Sequence, residues 1–313
     1  MRLFRDWRGL PPEARGATVA LGNFDGVHLG HAHVLRQAHG ARPDAPLAVL
    51  TFEPHPRQVF RAEDPPFRLT LSGERTAALA ALGVRLIYEL PFDHGFSLMT
   101  AEAFIAEVLQ AGIGARHLAC GPDFAFGHRR GGDVTLLGAM AERLGMGLSV
   151  VPPLTDAGGP LSSSRIRRLL QDGYPERAAS ELGRPWAIGG VVLPGDRRGR
   201  TIGFPTANVG LGEHLEPARG VYAVTVRLPD GTVRPGVANI GRRPTVDAGT
   251  ATRLEVHLFD FEGDLYGREI STALHSFLRE ERRFPGIEAL RAQIAADATE
   301  ARRLLDRGAG GSA

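Results

Sequence analysis

Residues 18–31 read Thr-Val-Ala-Leu-Gly-Asn-Phe-Asp-Gly-Val-His-Leu-Gly-His, and this stretch decides the fold of the first half of the chain. Thr18–Leu21 is a short apolar run stopped by glycine, the pattern of a buried strand. Asn23-Phe24-Asp25-Gly26 has the composition of a turn, and a helix is expected to begin near Gly30. Strand, glycine-bearing turn and helix in that order make a phosphate-binding corner. The helix N-terminus offers unpaired N–H groups and the positive end of a dipole. His28 and His31, three apart at the helix start, share a face. Two imidazoles there can donate to phosphate oxygens, and fixed donors aimed at developing charge lower the barrier to nucleotidyl transfer. An isolated H-x-x-H is more often two ordinary histidines, and zinc has no obvious third ligand nearby.

Outward from that corner, further strands are expected at Leu47–Phe52, Leu86–Leu90, His117–Cys120 and Leu148–Val151. Helical patterns at His31–His39, Gly73–Leu82, Ala101–Gln110 and Val134–Leu144 alternate with them. The third is the best marked. Thr100 can cap it, Phe104, Ile105, Val108 and Leu109 form an apolar stripe, and Gly112 ends it. Strands alternating with helices predict a Rossmann-like α/β domain, a parallel sheet covered on both faces. Such a sheet binds ligands at the carboxyl ends of its strands.

The pattern changes after Gly183-Arg184-Pro185, where the domain boundary is placed: residues 1–183 and 184–313. Strands are expected at Trp186–Leu193, Val221–Leu228, Thr232–Val237, Arg253–Phe259 and Glu269–Leu274, with an Asp230-Gly231 hairpin turn. Close strands with Gly/Pro turns predict a small antiparallel barrel. A helix follows, with Ile287, Leu290, Ile294, Ala298, Ala301 and Leu305 on one face. A second phosphate-type stretch, Gly199-Arg200-Thr201-Ile202-Gly203-Phe204-Pro205-Thr206-Ala207-Asn208, lies in this half. Glycines allow close backbone approach and arginine neutralises phosphate. Thr206 and Asn208 offer neutral oxygens suited to magnesium. On its glycines and arginines alone, the stretch reads more readily as a surface loop.

Composition narrows the classes. The 37 basic residues are all arginine, so a Walker A loop, which needs its lysine, is excluded. A formal net charge of +2 gives no broad footprint for nucleic acid. No apolar run reaches a membrane-spanning length, and the N-terminus does not read as a signal peptide. The single cysteine, Cys120, cannot pair within the chain, which points to a reducing cytoplasm.

The first stretch resembles the HxGH signature of the nucleotidyltransferase superfamily, in the variant of the FMN adenylyltransferase half of bacterial FAD synthetases. Thr51-Phe52-Glu53-Pro54-His55-Pro56, Gly121-Pro122-Asp123-Phe124-Ala125-Phe126-Gly127 and Ser162-Ser163-Ser164-Arg165-Ile166-Arg167 resemble further segments of that family. The resemblance implies catalytic roles for His28 and His31. It implies ATP or phosphate contacts for Gly22, Asn23, Phe24, Asp25, Asp123, Ser163, Ser164 and Arg167. On its own, Ser-Ser-Ser-Arg would be a helix cap.

The second stretch resembles the riboflavin kinase signature. So do Gly220-Val221-Tyr222, Val237-Ala238-Asn239-Ile240-Gly241 with Pro244-Thr245, Leu254–Phe261 and Phe277–Phe284, in family order. The resemblance implies Glu255 as general base for the ribityl hydroxyl, with Thr206 and Asn208 at magnesium and the ATP phosphates. It also implies phosphate contacts for Gly199, Arg200 and Gly203, and flavin contacts for Arg279 and Glu280. By alternation alone Glu255 is a polar strand position, and His257 beside it could be structural.

Together these resemblances imply a bifunctional enzyme that phosphorylates riboflavin to FMN with ATP, then adenylylates FMN to FAD. Its expected cofactor is Mg2+, and its expected partners are the small molecules riboflavin, FMN and ATP, without nucleic acid or membrane. The sequence leaves a homo-oligomer open. It also leaves open one degenerate half, a flavin-binding carrier without turnover, and an arginine-rich nucleic-acid binder that would bind in a salt-sensitive way.

Overall fold

The structure, a computed structural model, describes residues 1–194, 203–244 and 250–309. Contacts divide it into two compact units, residues 1–65 with 70–162, and residues 66–69 with 163–313.

The first unit is built on a six-stranded sheet. Its strands are β1 (Arg2–Phe4), β2 (Thr18–Leu21), β3 (Leu47–Glu53), β4 (Leu86–Pro91), β5 (His117–Cys120) and β6 (Gly147–Val150). Their order is β1-β4-β3-β2-β5-β6 and every neighbouring pair is parallel. Alternate residues feed two cores, as the period of two requires. Val19, Leu21, Ala48, Leu50 and Tyr88 face one of them, and Ala20, Val49, Ile87 and Ala119 face the other. The second core is covered by α1 (Leu29–Ala41) and, beyond α2 (Pro56–Phe60), by α3 (Ser72–Ala81), through Leu35, Ala38 and Leu79. After α4 (His94–Ser97), α5 (Ala101–Ala103) runs into a π-helix at Phe104–Gly112, and α6 is Val134–Arg143. These cover the first core. The apolar stripe expected at Phe104, Ile105, Val108 and Leu109 is buried, but the helix is wound more widely than an α-helix. Its last bond runs from the Ile113 N–H to the Val108 carbonyl, five residues back.

The expected parallel sheet is therefore present, with edge strand β1 in addition. Strand order reverses at β2, between β3 and β5. That switch point is where a doubly wound sheet opens a crevice, and both Gly22–His28 and Gly121–Gly127 leave strands there. The loop at Leu154–Pro160 holds a minimal hairpin, β7 (Thr155–Asp156) and β8 (Gly159–Pro160).

In the second unit, α7 (Ser163–Gln171) and α8 (Pro175–Leu182) lead into a closed barrel. The barrel strands are β9 (Trp186–Leu193), β10 (Ala207–Gly210), β11 (Gly220–Arg227), β12 (Val233–Pro244), β13 (Thr250–Leu258) and β14 (Glu269–Arg279), in the order β10-β13-β12-β11-β14-β9. All six pairings are antiparallel, so the sheet has no edge. Ile188, Val209, Val224, Ile240, Leu254, Val256 and Leu274 fill its interior. The segment 66–69 belongs here. Leu215 N–H donates to the Arg68 carbonyl at 2.8 Å, and the Trp186 indole donates to the Leu69 carbonyl at 2.7 Å. Helix α9 (Ile287–Ala309) lies on the outer barrel surface, where Ala298, Ala301 and Leu305 of the expected stripe pack on Val221, Ala223, Val237 and Phe259.

Candidate active sites

In the first unit, His28 is the N-cap of α1. Its Nδ1 accepts the His31 N–H at 3.3 Å, and His31 Nδ1 accepts the His28 N–H at 3.2 Å. This is a capping box made of two histidines, with the rings stacked at a centroid distance of 3.7 Å. With Nδ1 used as an acceptor, the proton of each neutral ring sits on Nε2. Gly30 is required locally: a Cβ there would stand 2.9 Å from His28 Cε1. The turn before the cap is strained, with Phe24 at φ +50° and Val27 at φ +44°. Gly22 continues the ladder by donating to the Leu50 carbonyl at 3.2 Å.

Two residues expected at phosphates turn their side chains inward. Phe24 is 2% exposed and lies against the His31 ring. Asp25 is equally buried, and its Oδ1 accepts the Thr70 N–H at 2.9 Å, while Gly26 N–H donates to Thr70 Oγ1. These bonds make the Asp25 side chain a brace for the turn. The Asn23 carbonyl accepts from Thr51 Oγ1 at 3.1 Å. Asp123 is exposed on the loop after β5. Ser163 and Ser164 begin α7 in the second unit. Arg167 on the same helix donates its Nε to the Phe67 carbonyl at 2.8 Å, and its guanidinium lies 5.3 Å from the Phe67 ring centroid.

A row of aromatic rings leaves no joint signal in the sequence, because its members come from three separate segments, around Phe52–Phe60, Phe92–Phe104 and Phe124–Phe126. Phe60, Phe92, Phe52, Phe96, Phe104, Phe126 and Phe124 contact one another in succession, with centroid separations of 5.2–6.2 Å. The row follows the carboxyl edge of the sheet from β3 to the loop after β5.

In the second unit the candidate residues are brought together by register. Asn208 of β10 is directly opposite Glu255 of β13, which is directly opposite Asn239 of β12. Directly paired residues share a face, so the three side chains form a row on the outside of the barrel, while Leu254 and Val256 point inward. The row lines a cavity of about 680 Å³, together with Thr206, His257, Arg279 and Glu281. Phe261, Tyr266 and Phe284 give it aromatic walls, and Leu290 and Ile294 of α9 close one side.

His257 Nδ1 hydrogen-bonds the Pro205 carbonyl at 2.9 Å, and its ring meets Phe204 edge-on. It thereby holds the segment that presents Thr206. Gly203, at φ +86°, occupies backbone space that a side chain resists. Gly199 and Arg200 lie outside the described residues.

The guanidinium of Arg279, expected at flavin, is held by Asp297 of α9. Nε lies 3.0 Å from Oδ1 and Nη2 lies 2.7 Å from Oδ2, while Gln293 donates to the same carboxylate at 2.7 Å. Arg279 thus braces α9 as a cavity wall. Glu280 is exposed and does not line the cavity; Glu281 does, and its Oε1 accepts from Asn239 Nδ2 at 3.1 Å.

A histidine-capped phosphate corner on a doubly wound sheet, and a carboxylate–amide row beside a barrel cavity, define a two-site transferase acting on phosphate compounds. The family model described as FAD synthetase matches residues 10–165, and the one described as riboflavin kinase matches residues 182–305. A bifunctional riboflavin kinase/FMN adenylyltransferase from Escherichia coli is 42% identical, over 97% of this chain and 98% of its own. The counterpart from Bacillus subtilis is 38% identical over 93% of each. A crystal structure described as a macrolide-efflux protein from Streptococcus pneumoniae matches with a TM-score of 0.85 at 32% identity, covering 96% of this chain and 98% of that one. The chain belongs to the bifunctional riboflavin kinase/FMN adenylyltransferase family. No helix among the described residues is long and apolar enough to cross a membrane.

Proposed function

We infer that this chain performs both reactions named by its family: riboflavin and ATP give FMN, and FMN with a second ATP gives FAD and pyrophosphate. The observation that carries this reading is the presence of both constellations in one chain, the His28–His31 cap and the Asn208–Glu255–Asn239 row.

In adenylyl transfer, an FMN phosphate oxygen attacks the α-phosphorus of ATP, and the bond to pyrophosphate breaks. His28 and His31 donate from Nε2 to the phosphate oxygens as charge moves outward, and the backbone of Gly22–Gly26 supplies the close approach. Asp123 faces the nucleotide sugar or base. Phe60, the exposed end of the aromatic row, offers a stacking face for the isoalloxazine, while Phe104 and Phe126 are buried in the core.

In the barrel, Glu255 accepts the proton of the ribityl 5′-hydroxyl as its oxygen attacks the γ-phosphorus. Among the described residues no cluster of three or more His, Cys, Asp or Glu could hold a metal ion. The neutral oxygens of Thr206 and Asn208 instead suit Mg2+, which keeps its waters and takes its other ligands from ATP phosphates. When bound, that ion neutralises the transferring phosphoryl group. Gly203 leaves room for the phosphates, and Arg279 keeps α9 in place along the flavin cavity.

The boundary is proposed near Gly183, where the riboflavin kinase match begins at residue 182, although the contacts divide the chain between Ser162 and Ser163. The reading of a reducing cytoplasm rests on the single cysteine, Cys120, which is buried.

The test is a time course of purified chain with riboflavin, ATP and magnesium, resolved by chromatography. FMN appears first and FAD follows. FMN alone would leave the first unit silent, and neither product would return the chain to a flavin carrier.

A further inference from the structure

Arg75 is 1% exposed, at the end of the first turn of α3, and belongs to no motif discussed above. Its Nη2 lies 2.8 Å from Glu53 Oε2, 2.8 Å from Glu89 Oε1 and 3.3 Å from the Phe52 carbonyl. Its Nη1 reaches the Asn23 carbonyl at 3.4 Å. One guanidinium therefore touches the chain leaving β2, the end of β3 and the middle of β4. Glu89 is as buried as Arg75 and also accepts from Ser72 Oγ and Arg5 Nε. Burial alone would push the Glu89 carboxyl up. The bonds from Ser72 and Arg75 outweigh that and hold it below the ordinary range, so this is a charged strut.

The strut ends where the strained turn begins. Thr51 Oγ1 holds the same Asn23 carbonyl. The next residue, Phe24, and then Val27 sit at positive φ, and His28 follows at once as the cap. Non-glycine residues in that region persist only where their surroundings over-determine them. At the turn's far end the determinant is the histidine cap, in its middle Asp25 with Thr70, and at its entrance the Asn23 carbonyl with its two donors.

We propose that Arg75 is a positioning residue for adenylyl transfer: anchored by Glu53 and Glu89, it fixes the Asn23 carbonyl and so the turn that delivers His28 and His31 to the phosphates. The proposal rests on the assignment of adenylylation to this unit. It requires the second nitrogen of the guanidinium, because the single ammonium of lysine could meet the carboxylates that Nη2 holds but would leave the Asn23 carbonyl that Nη1 reaches.

The test uses the full chain with Arg75→Lys, Thr51→Val and the pair. FAD formation from supplied FMN is measured as kcat and as KM for ATP, and riboflavin phosphorylation is measured in the same preparations. Arg75→Lys is expected to lower the adenylylation kcat roughly 100-fold, the scale of a misplacement of about 1 Å. KM for ATP should change less than about threefold and phosphorylation should stay at the wild-type rate. Thr51→Val should lower kcat less, and the pair should fall well short of the product of the single effects, because both act on one carbonyl. A wild-type kcat in Arg75→Lys overturns the proposal. So does a loss fully accounted for by the unfolded fraction in thermal melts, or strictly multiplicative effects in the pair. A wild-type chain that makes no FAD from FMN overturns instead the assignment of the site.

Discussion

The two sites are built by opposite means. In the first unit the candidate side chains cap one another locally, His28 and His31 lying three residues apart, while the strained turn before them is braced by Thr51, Thr70 and Arg75 from farther along the chain. In the barrel, Asn208, Glu255 and Asn239 are remote in sequence and meet only because three strands pair in one register. A locally built site is vulnerable to single atoms in one turn. A register-built site is vulnerable to anything that slides a strand, since a slip of one residue sends Glu255 into the apolar interior.

Substitutions can break this contrast or sharpen it. The largest effect is expected from Glu255→Gln. Removing a general base typically costs roughly 100- to 10,000-fold, so FMN formation should collapse while FAD formation from supplied FMN continues. Loss of both activities in a folded protein would refute two separate sites. Next, His28→Ala or His31→Ala should lower adenylylation by roughly 100- to 1,000-fold, the scale of one lost charge-stabilising donor, and spare phosphorylation of riboflavin.

Gly30→Ala asks how local the first site is. The new methyl would press on the His28 ring, and a loss of roughly tenfold in adenylylation alone is expected. An unchanged rate would show that the cap tolerates displacement. Asp297→Ala has the smallest expected effect on catalysis and acts mainly on stability. It leaves the largely buried Arg279 without its carboxylate, which costs roughly 3 kcal/mol for a buried pair. A lower melting temperature of the barrel, with the adenylylation rate unchanged, would place that ion pair where the structure has it.

Much of this was legible in the sequence. Both faces of the parallel sheet could be read because its strands are bounded apolar runs between capped helices, and Thr18–Leu21 and His117–Cys120 fall where expected. Strand β10 carries little strand signal of its own, because Val209 is its one strand-forming residue among Ala207, Asn208 and Gly210. Glu280 and Glu281 could not be told apart, because the alternation ends with β14 at Arg279. Arg75 looked like any helical arginine. Its one signal was Glu89, a carboxylate inside the otherwise apolar run Leu86–Leu90, which needed a buried cation.

Strand β10, four residues long, joins β9 to β13 and so completes the barrel. The same residues carry Asn208, so on the proposed assignment the staple of the fold and the nucleotide ligand-set are one object. Whatever grips Thr206 and Asn208 also clamps the seam. Substrate binding is thereby written into the unfolding free energy of the whole unit, growing with the logarithm of ligand concentration. Amide exchange at Ala207–Gly210 would report occupancy of the cavity as directly as turnover does.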